Sequence, residues 1–192
     1  MAFNSLHYIF IFLPLVAFLN LIVWKIHPLM SRFFITAVSI WFYCELANDG
    51  VLWLAISCII TYVSYLIGNM ISFRRTAFGA GIIFNASMLC LFKYKYIFTL
   101  SELPFRIEDL IAPVAISFFV FQQVSFLVDA YKKKIERVSL LDYVYYATFF
   151  PKMVSGPITR YDRLMSGSET GLSCSKLISG LMLASIYQNK IL

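Results

Sequence analysis

Four apolar runs, each about as long as a bilayer is thick, set the terms for anything this chain can fold into. They extend from about Leu6 to Trp24, Val51 to Phe73, Ala77 to Phe98 and Leu110 to Tyr131. A helix needs about 20 apolar residues to cross the hydrocarbon core, and there every backbone N–H and C=O must be satisfied within the segment. The runs therefore predict an all-α, multi-pass transmembrane bundle. Two more runs are shorter. Phe33 to Leu46 is expected to cross with tilt or local thinning, and Val138 to Phe150 to be a short re-entrant or partly buried helix. Pro14 falls mid-run in the first span, where its missing donor predicts a kink.

Composition closes off the alternatives. Of 192 residues, 60% are hydrophobic, 18% aromatic and only 14% charged, and the mean hydropathy is +0.78, outside the range of soluble domains. The net charge of +6 would suit nucleic acid if it formed one patch. The basic residues instead stand in short groups between apolar runs, so the partner they imply is the bilayer. Cys44, Cys58, Cys90 and Cys174 form no C-x-x-C pair, and three of them lie inside apolar segments as small hydrophobes. Neither a disulfide framework nor a metal site is indicated. His7 and His27 flank the first run and read as interfacial. That run has no basic leader and no small-residue cleavage site, so it is expected to be a retained span.

Lys25 and Arg32 follow the first span, Arg74 and Arg75 the third, and Lys132, Lys133, Lys134 and Arg137 the fifth. Positive-inside placement puts these loops in the cytoplasm and the amino terminus outside. Lys93, Lys95 and Arg106 then fall in an external connection, beside Glu102, Glu108 and Asp109. After Arg163 the sequence turns polar, and residues of about 164–176 read as a loop within a single 1–192 membrane domain. The Gly167 to Gly171 spacing lies in this polar stretch and is no helix-dimerisation motif.

The chemistry-bearing residues lie near the end of the fourth long run. Gln122, Ser125 and Asp129 stand at i, i+3 and i+7 and form one polar stripe on an otherwise apolar helix, with Gln123 beside it. Lipid rejects such groups, so the stripe faces protein, water or a substrate path. The plainer alternative for the two Gln and the Ser is hydrogen bonding between helices. For Asp129 it is an i,i+4 ion pair with Lys133.

The segment PVAISFFVFQQVSFLVDAYKK from Pro113, followed by FFPKMVSGPITR from Phe149 to Arg160, resembles the paired signature of the bacterial membrane-bound O-acyltransferases, of the alginate O-acetyltransferase and teichoic acid D-alanine transfer type. Weaker similarity runs through NSLHYIFIFLPL, SIWFYCELAN and CLFKYKYIF. The resemblance implies the amino-terminal part of a partial acyltransferase fold, with FFPKMVSGPITR dipping inward to line the route between donor and acceptor. There Pro151 and Pro157 hold the preceding residues extended, and Gly156 lets backbone approach closely. Lys152 and Arg160 would attract the phosphates of an acyl donor, acetyl-CoA or an acyl carrier protein; their plainer role is cytoplasmic anchoring.

The family's activity implies a buried histidine as base. This sequence has no histidine after His27, so no catalytic residue is assigned in it. It also has Leu183 and Ala184 where the family has a basic pair, and both departures are expected of a fragment, a split product or an interrupted gene. The expectation is thus a portion of a bacterial inner-membrane enzyme that passes an acyl group, acetyl by preference, to a surface or exported polysaccharide. By itself it is expected to be inactive and completed by a carboxy-terminal fragment. The competing reading is a non-catalytic membrane subunit or scaffold. A small transporter is a third, but no repeated halves are visible.

Overall fold

The computed structural model describes residues 11–46, 50–70, 74–94, 115–135, 137–149 and 160–169, and the regular structure among them is entirely helical. Among the described residues seven helices follow in order: α1 (Leu13–Ile26), α2 (Pro28–Leu46), α3 (Gly50–Met70), α4 (Arg74–Lys93), α5 (Ile116–Tyr131), α6 (Leu140–Thr148) and α7 (Tyr161–Glu169). They gather into two compact units, Met1–Leu46 with Val138–Leu192, and Ala47–Arg137.

Proline chemistry explains the first boundaries. Pro14 lies in the first turn of α1, just after a π turn at Ile11 and Phe12, a position proline tolerates. The first half of the expected span, and with it the kink expected at Pro14, involves residues 6–10, which lie outside the described residues. Pro28 opens α2, which runs for 19 residues and so begins five residues before the expected Phe33. Between the two helices His27 alone is extended; its Nδ1 accepts the Leu29 N–H at 3.2 Å, and its own N–H donates to the Val23 carbonyl. This exposed imidazole holds a helix junction together.

In the first unit α2 packs against α1, α6 and α7. Ser31 Oγ donates to Asn20 Oδ1 at 2.7 Å across the α1–α2 contact, and Phe12 stacks on Phe42 at 5.5 Å. The nine-residue α6 matches the short helix expected over Val138 to Phe150. Its Tyr143, Tyr145, Tyr146, Ala147 and Thr148 are all buried, and Tyr146 meets Tyr161 of α7 edge-on at 5.5 Å. Helix α7 carries into the expected polar loop as far as Glu169; residues 170–192 lie outside the described residues.

In the second unit α3, α4 and α5 touch one another pairwise. Small residues set the spacing. A methyl group added at Gly81 of α4 would stand 2.8 Å from Ser64 Oγ of α3 and 2.9 Å from Leu127 Cδ1 of α5, and one added at Gly68 would collide with the Phe78 ring. Close backbone approach of this kind is how helices pack where lipid removes the hydrophobic drive. Trp53 against Phe92 at 5.0 Å and Tyr65 against Phe126 at 5.4 Å close the interior.

Both units expose apolar stripes and bury some polar side chains. Ile11, Leu15, Phe18, Ile22 and Ile26 of the first stand exposed along one stripe, as do Leu52, Ile59, Val63, Ile67 and Met70 of the second, whereas Asn20, Ser57, Thr61, Asn85 and Gln123 are at most 2% exposed. Helices α3 and α4 are long and apolar enough to cross a bilayer by length and composition, and only 33% and 28% of their apolar windows are buried. The core helix of a soluble protein would be mostly buried. Leaving each large apolar side chain in water forfeits about 1.5–3 kcal/mol, so these stripes call for lipid.

Candidate functional site

Helix α5 is bounded by two residues in the left-handed region, Ala115 (φ 60°) before it and Lys133 (φ 56°) after it. The second closes the helix: Lys133 N–H donates to the Ala130 carbonyl and Lys134 N–H to the Asp129 carbonyl, each at 3.0 Å. This is the paired-bond termination usually given to glycine. It also changes the expected ion pair. Asp129 is 5% exposed within the last turn, while Lys133 is exposed beyond the helix end, so the i,i+4 geometry that would join them on a helix face is absent.

The predicted stripe is partly an inner face. Gln122 is 5% exposed and Gln123 is fully buried; Ser125 is half-buried. Gln123 Nε2 donates to Cys58 Sγ on α3 at 3.2 Å. Nearby positions of α3 and α4 form a connected set. Ser57 Oγ donates to Asn85 Oδ1 at 2.6 Å, and Asn85 Nδ2 donates to Thr61 Oγ1 and to the Gly81 carbonyl at 2.9 Å each. Sequence reasoning passed over this network, although Ser57, Thr61 and Ser64 fall at i, i+4 and i+7 and show the same stripe logic.

The first unit holds an ion pair that links positions 110 residues apart. Arg32 Nη1 donates to Asp142 Oδ1 at 2.6 Å. Ser139 caps α6 by accepting the Asp142 N–H at 3.1 Å, and its hydroxyl donates to Asp142 Oδ2 at 2.7 Å. The Ser-x-x-Asp spacing is a capping signal that sequence reasoning did not single out; nothing in the sequence points to the arginine. Arg160 is exposed immediately before α7, with its carbonyl accepting the Leu164 N–H. Lys152, Gly156 and Pro157 lie outside the described residues.

These groups can hold helices in register and offer polar lining, but they assemble no nucleophile and base. Among the described residues no three His, Cys, Asp or Glu side chains come together as a metal site would require.

Comparison with known proteins turns these features into a family. The chain is 30% identical to a peptidoglycan O-acetyltransferase of Helicobacter pylori over 202 aligned positions, covering 85% of this chain. It is 28% identical to a probable alginate O-acetylase of Azotobacter vinelandii, covering 86% of it. The chain belongs to the membrane-bound O-acyltransferase family. It spans 38% and 35% of the lengths of those two relatives. A Pseudomonas aeruginosa probable alginate O-acetylase aligns over 44% of the chain at 26% identity. No family model matches, and no solved structure gives a significant match. In this O-acyltransferase relative the described half of the signature pair is α5; of the other half only Phe149, 1% exposed, and Arg160 are described.

Proposed function

We propose that this chain forms part of a membrane-embedded O-acetyltransferase that passes an acetyl group to hydroxyls of a cell-surface or exported glycan. The observation that carries the reading is similarity over 85% of the chain to a protein named for peptidoglycan O-acetylation, joined to helices that bury Ser57, Thr61, Asn85 and Gln123 while exposing large apolar side chains. Peptidoglycan and alginate, the acceptors in the relatives' names, set the acceptor class.

In the chemistry this implies, a glycan hydroxyl attacks the acyl carbonyl of a donor such as acetyl-CoA or an acyl carrier. A base takes the hydroxyl proton, donors stabilise the oxyanion, and the donor's leaving group departs. Gln122, Ser125 and Asp129 are assigned to the lining of the acceptor path. Lys152 and Arg160, with Gly156 and Pro157 between them in sequence, are assigned to the donor side. His27 is no base here, since its Nδ1 serves the α1–α2 junction. The 192-residue chain alone is therefore expected to be inactive and to need a complementary carboxy-terminal fragment.

The bundle is read as multi-pass in a bacterial inner membrane with the amino terminus outside. The approach of Arg74 to Ala130 supports placing the two basic loops on one side. A scaffold subunit is the second reading, favoured by the Ser57–Asn85–Thr61 network, whose hydrogen bonds are spent within the protein.

Labelled acetyl transfer to peptidoglycan or alginate distinguishes them. The chain is assayed alone, and with the complementary carboxy-terminal remainder of a relative. Activity only in the pair supports an enzyme portion. Turnover by the chain alone overturns the inactivity, and no activity in a pair shown to assemble favours the scaffold.

A further inference from the structure

Two basic runs that lie more than 50 residues apart in sequence meet at one end of the second unit. Arg74 Nη2 donates to the Ala130 carbonyl at 2.6 Å and the Tyr131 carbonyl at 3.2 Å, capping the end of α5 with a cation. Its guanidinium lies 5.4 Å over the Phe78 ring. Arg75 Nε donates to the Tyr131 hydroxyl at 3.3 Å. These contacts bring Arg75 alongside the Lys132–Lys133–Lys134 run, and Arg75, all three lysines and Arg137 are exposed. Asp129, the acid of this end among the described residues, is buried; Glu136 lies outside them.

The cations sit beside apolar surface. Met70, at the end of α3 and four residues before Arg74, is 85% exposed, and Ile67 and Leu66 are 42% and 40% exposed. Tyr131, half in and half out at 39%, is the amphipathic residue found at membrane interfaces. Exposed positive charge at the ends of α4 and α5, with exposed apolar side chains in the last turn of α3, suits the phosphate layer over acyl chains.

We propose that this end of the second unit binds the phosphate headgroups of anionic phospholipids, with Lys132, Lys133 and Lys134 supplying most of the attraction and the Arg74 bridge holding the two runs together. The inference rests on the membrane reading and adds a lipid preference to it. An acidic soluble protein would need the charge without the apolar rim, which is why lipid is the better fit.

The test uses the full chain, reconstituted into phosphatidylcholine vesicles with and without phosphatidylglycerol and followed by native mass spectrometry of retained lipid. The parent chain is expected to retain phosphatidylglycerol over phosphatidylcholine. Each basic residue near an anionic surface contributes about a fivefold factor, from about 1 kcal/mol, so K132Q/K133Q/K134Q should weaken that binding about 100-fold. Lys25→Gln, in the other unit, should leave it unchanged. Added salt should weaken it in the parent, which gives a readout free of any folding defect. Equal retention of the two lipids by the parent, or unchanged binding in the triple variant, overturns the proposal. So does displacement of the lipid by inorganic phosphate alone, or capture of an acidic carrier protein without lipid preference. Alkaline extraction separates the two levels: a chain stripped from both vesicle types fails as a membrane protein, and the headgroup site fails with it, whereas a resistant chain with no preference overturns the headgroup site alone.

Discussion

Replacing Asn85 with Leu keeps the branched shape of the side chain, with bulkier methyls in place of the amide, and removes three hydrogen bonds at once, from Ser57, to Thr61 and to the Gly81 carbonyl. The bonds with Ser57 and Thr61 cross to α3 and the one to Gly81 lies within α4; at about 0.6 kcal/mol each, the bilayer average for interhelical bonds, which reach about 1.7, the three sum to about 2 kcal/mol. The remaining hydroxyls set the spread around that figure. Ser57 and Thr61 are fully buried, and a buried donor left unmade costs about 1–3 kcal/mol, although each hydroxyl can turn to a carbonyl one turn back in α3. The assay is reversible unfolding of the micelle-solubilised chain by dodecyl sulfate, following helicity. Asn85→Leu is expected to lose about 2 kcal/mol. Adding Ser57→Ala and Thr61→Val should recover part of it, because the stranded hydroxyls go. A loss under about 0.5 kcal/mol, the scatter of neutral surface changes, would refute the claim that this network holds α3 to α4.

Three further outcomes follow from the geometry. Arg32→Met and Asp142→Asn, measured singly and together, should give a coupling of about 1–2 kcal/mol, between an exposed and a fully buried pair, because the side chains are 16% and 22% exposed; additive losses would show that the pair does not fasten α6 to α2. Gly81→Val should cost about 1–3 kcal/mol by overpacking, read in the same unfolding assay, since even its first carbon meets Ser64 and Leu127 below 3.0 Å. Lys133→Gly should gain up to about 1 kcal/mol, because glycine adopts the φ of 56° without a Cβ penalty; lower helix stability in the variant would contradict the termination geometry.

The helices were legible because apolar run length is a local property, and α3 and α4 fall within a few residues of the expected spans. Boundaries failed where local chemistry overrode hydropathy. The polar residues before Phe33 hid the start of α2, although Pro28 is a good first helical residue. The Asp129–Lys133 pairing assumed a helix that continues, and a lysine in the left-handed region carries no advance signal. Gln122 and Asp129 were found as buried polar positions because their spacing lies on one helix. Arg32 with Asp142 was not, since nothing at either position names a partner 110 residues away.

What holds the second unit together differs in kind from what holds a soluble bundle. In lipid, burying Leu54 or Met88 gains little, because hydrocarbon surrounds the exposed face as well. The specific terms left are close approach, at Gly68 and Gly81, and the hydrogen bonds around Asn85. Both depend on a few small or polar residues placed to within a fraction of an ångström. The large apolar side chains of the outer stripe are interchangeable by comparison. Substituting Ile59 or Val63 by Leu should therefore leave the three helices in place, whereas a single methyl at Gly68 forces aside Phe78, the ring that lies under Arg74 and edge-on to Tyr131. The packing of the helices and the basic rim are in this way one mechanical unit.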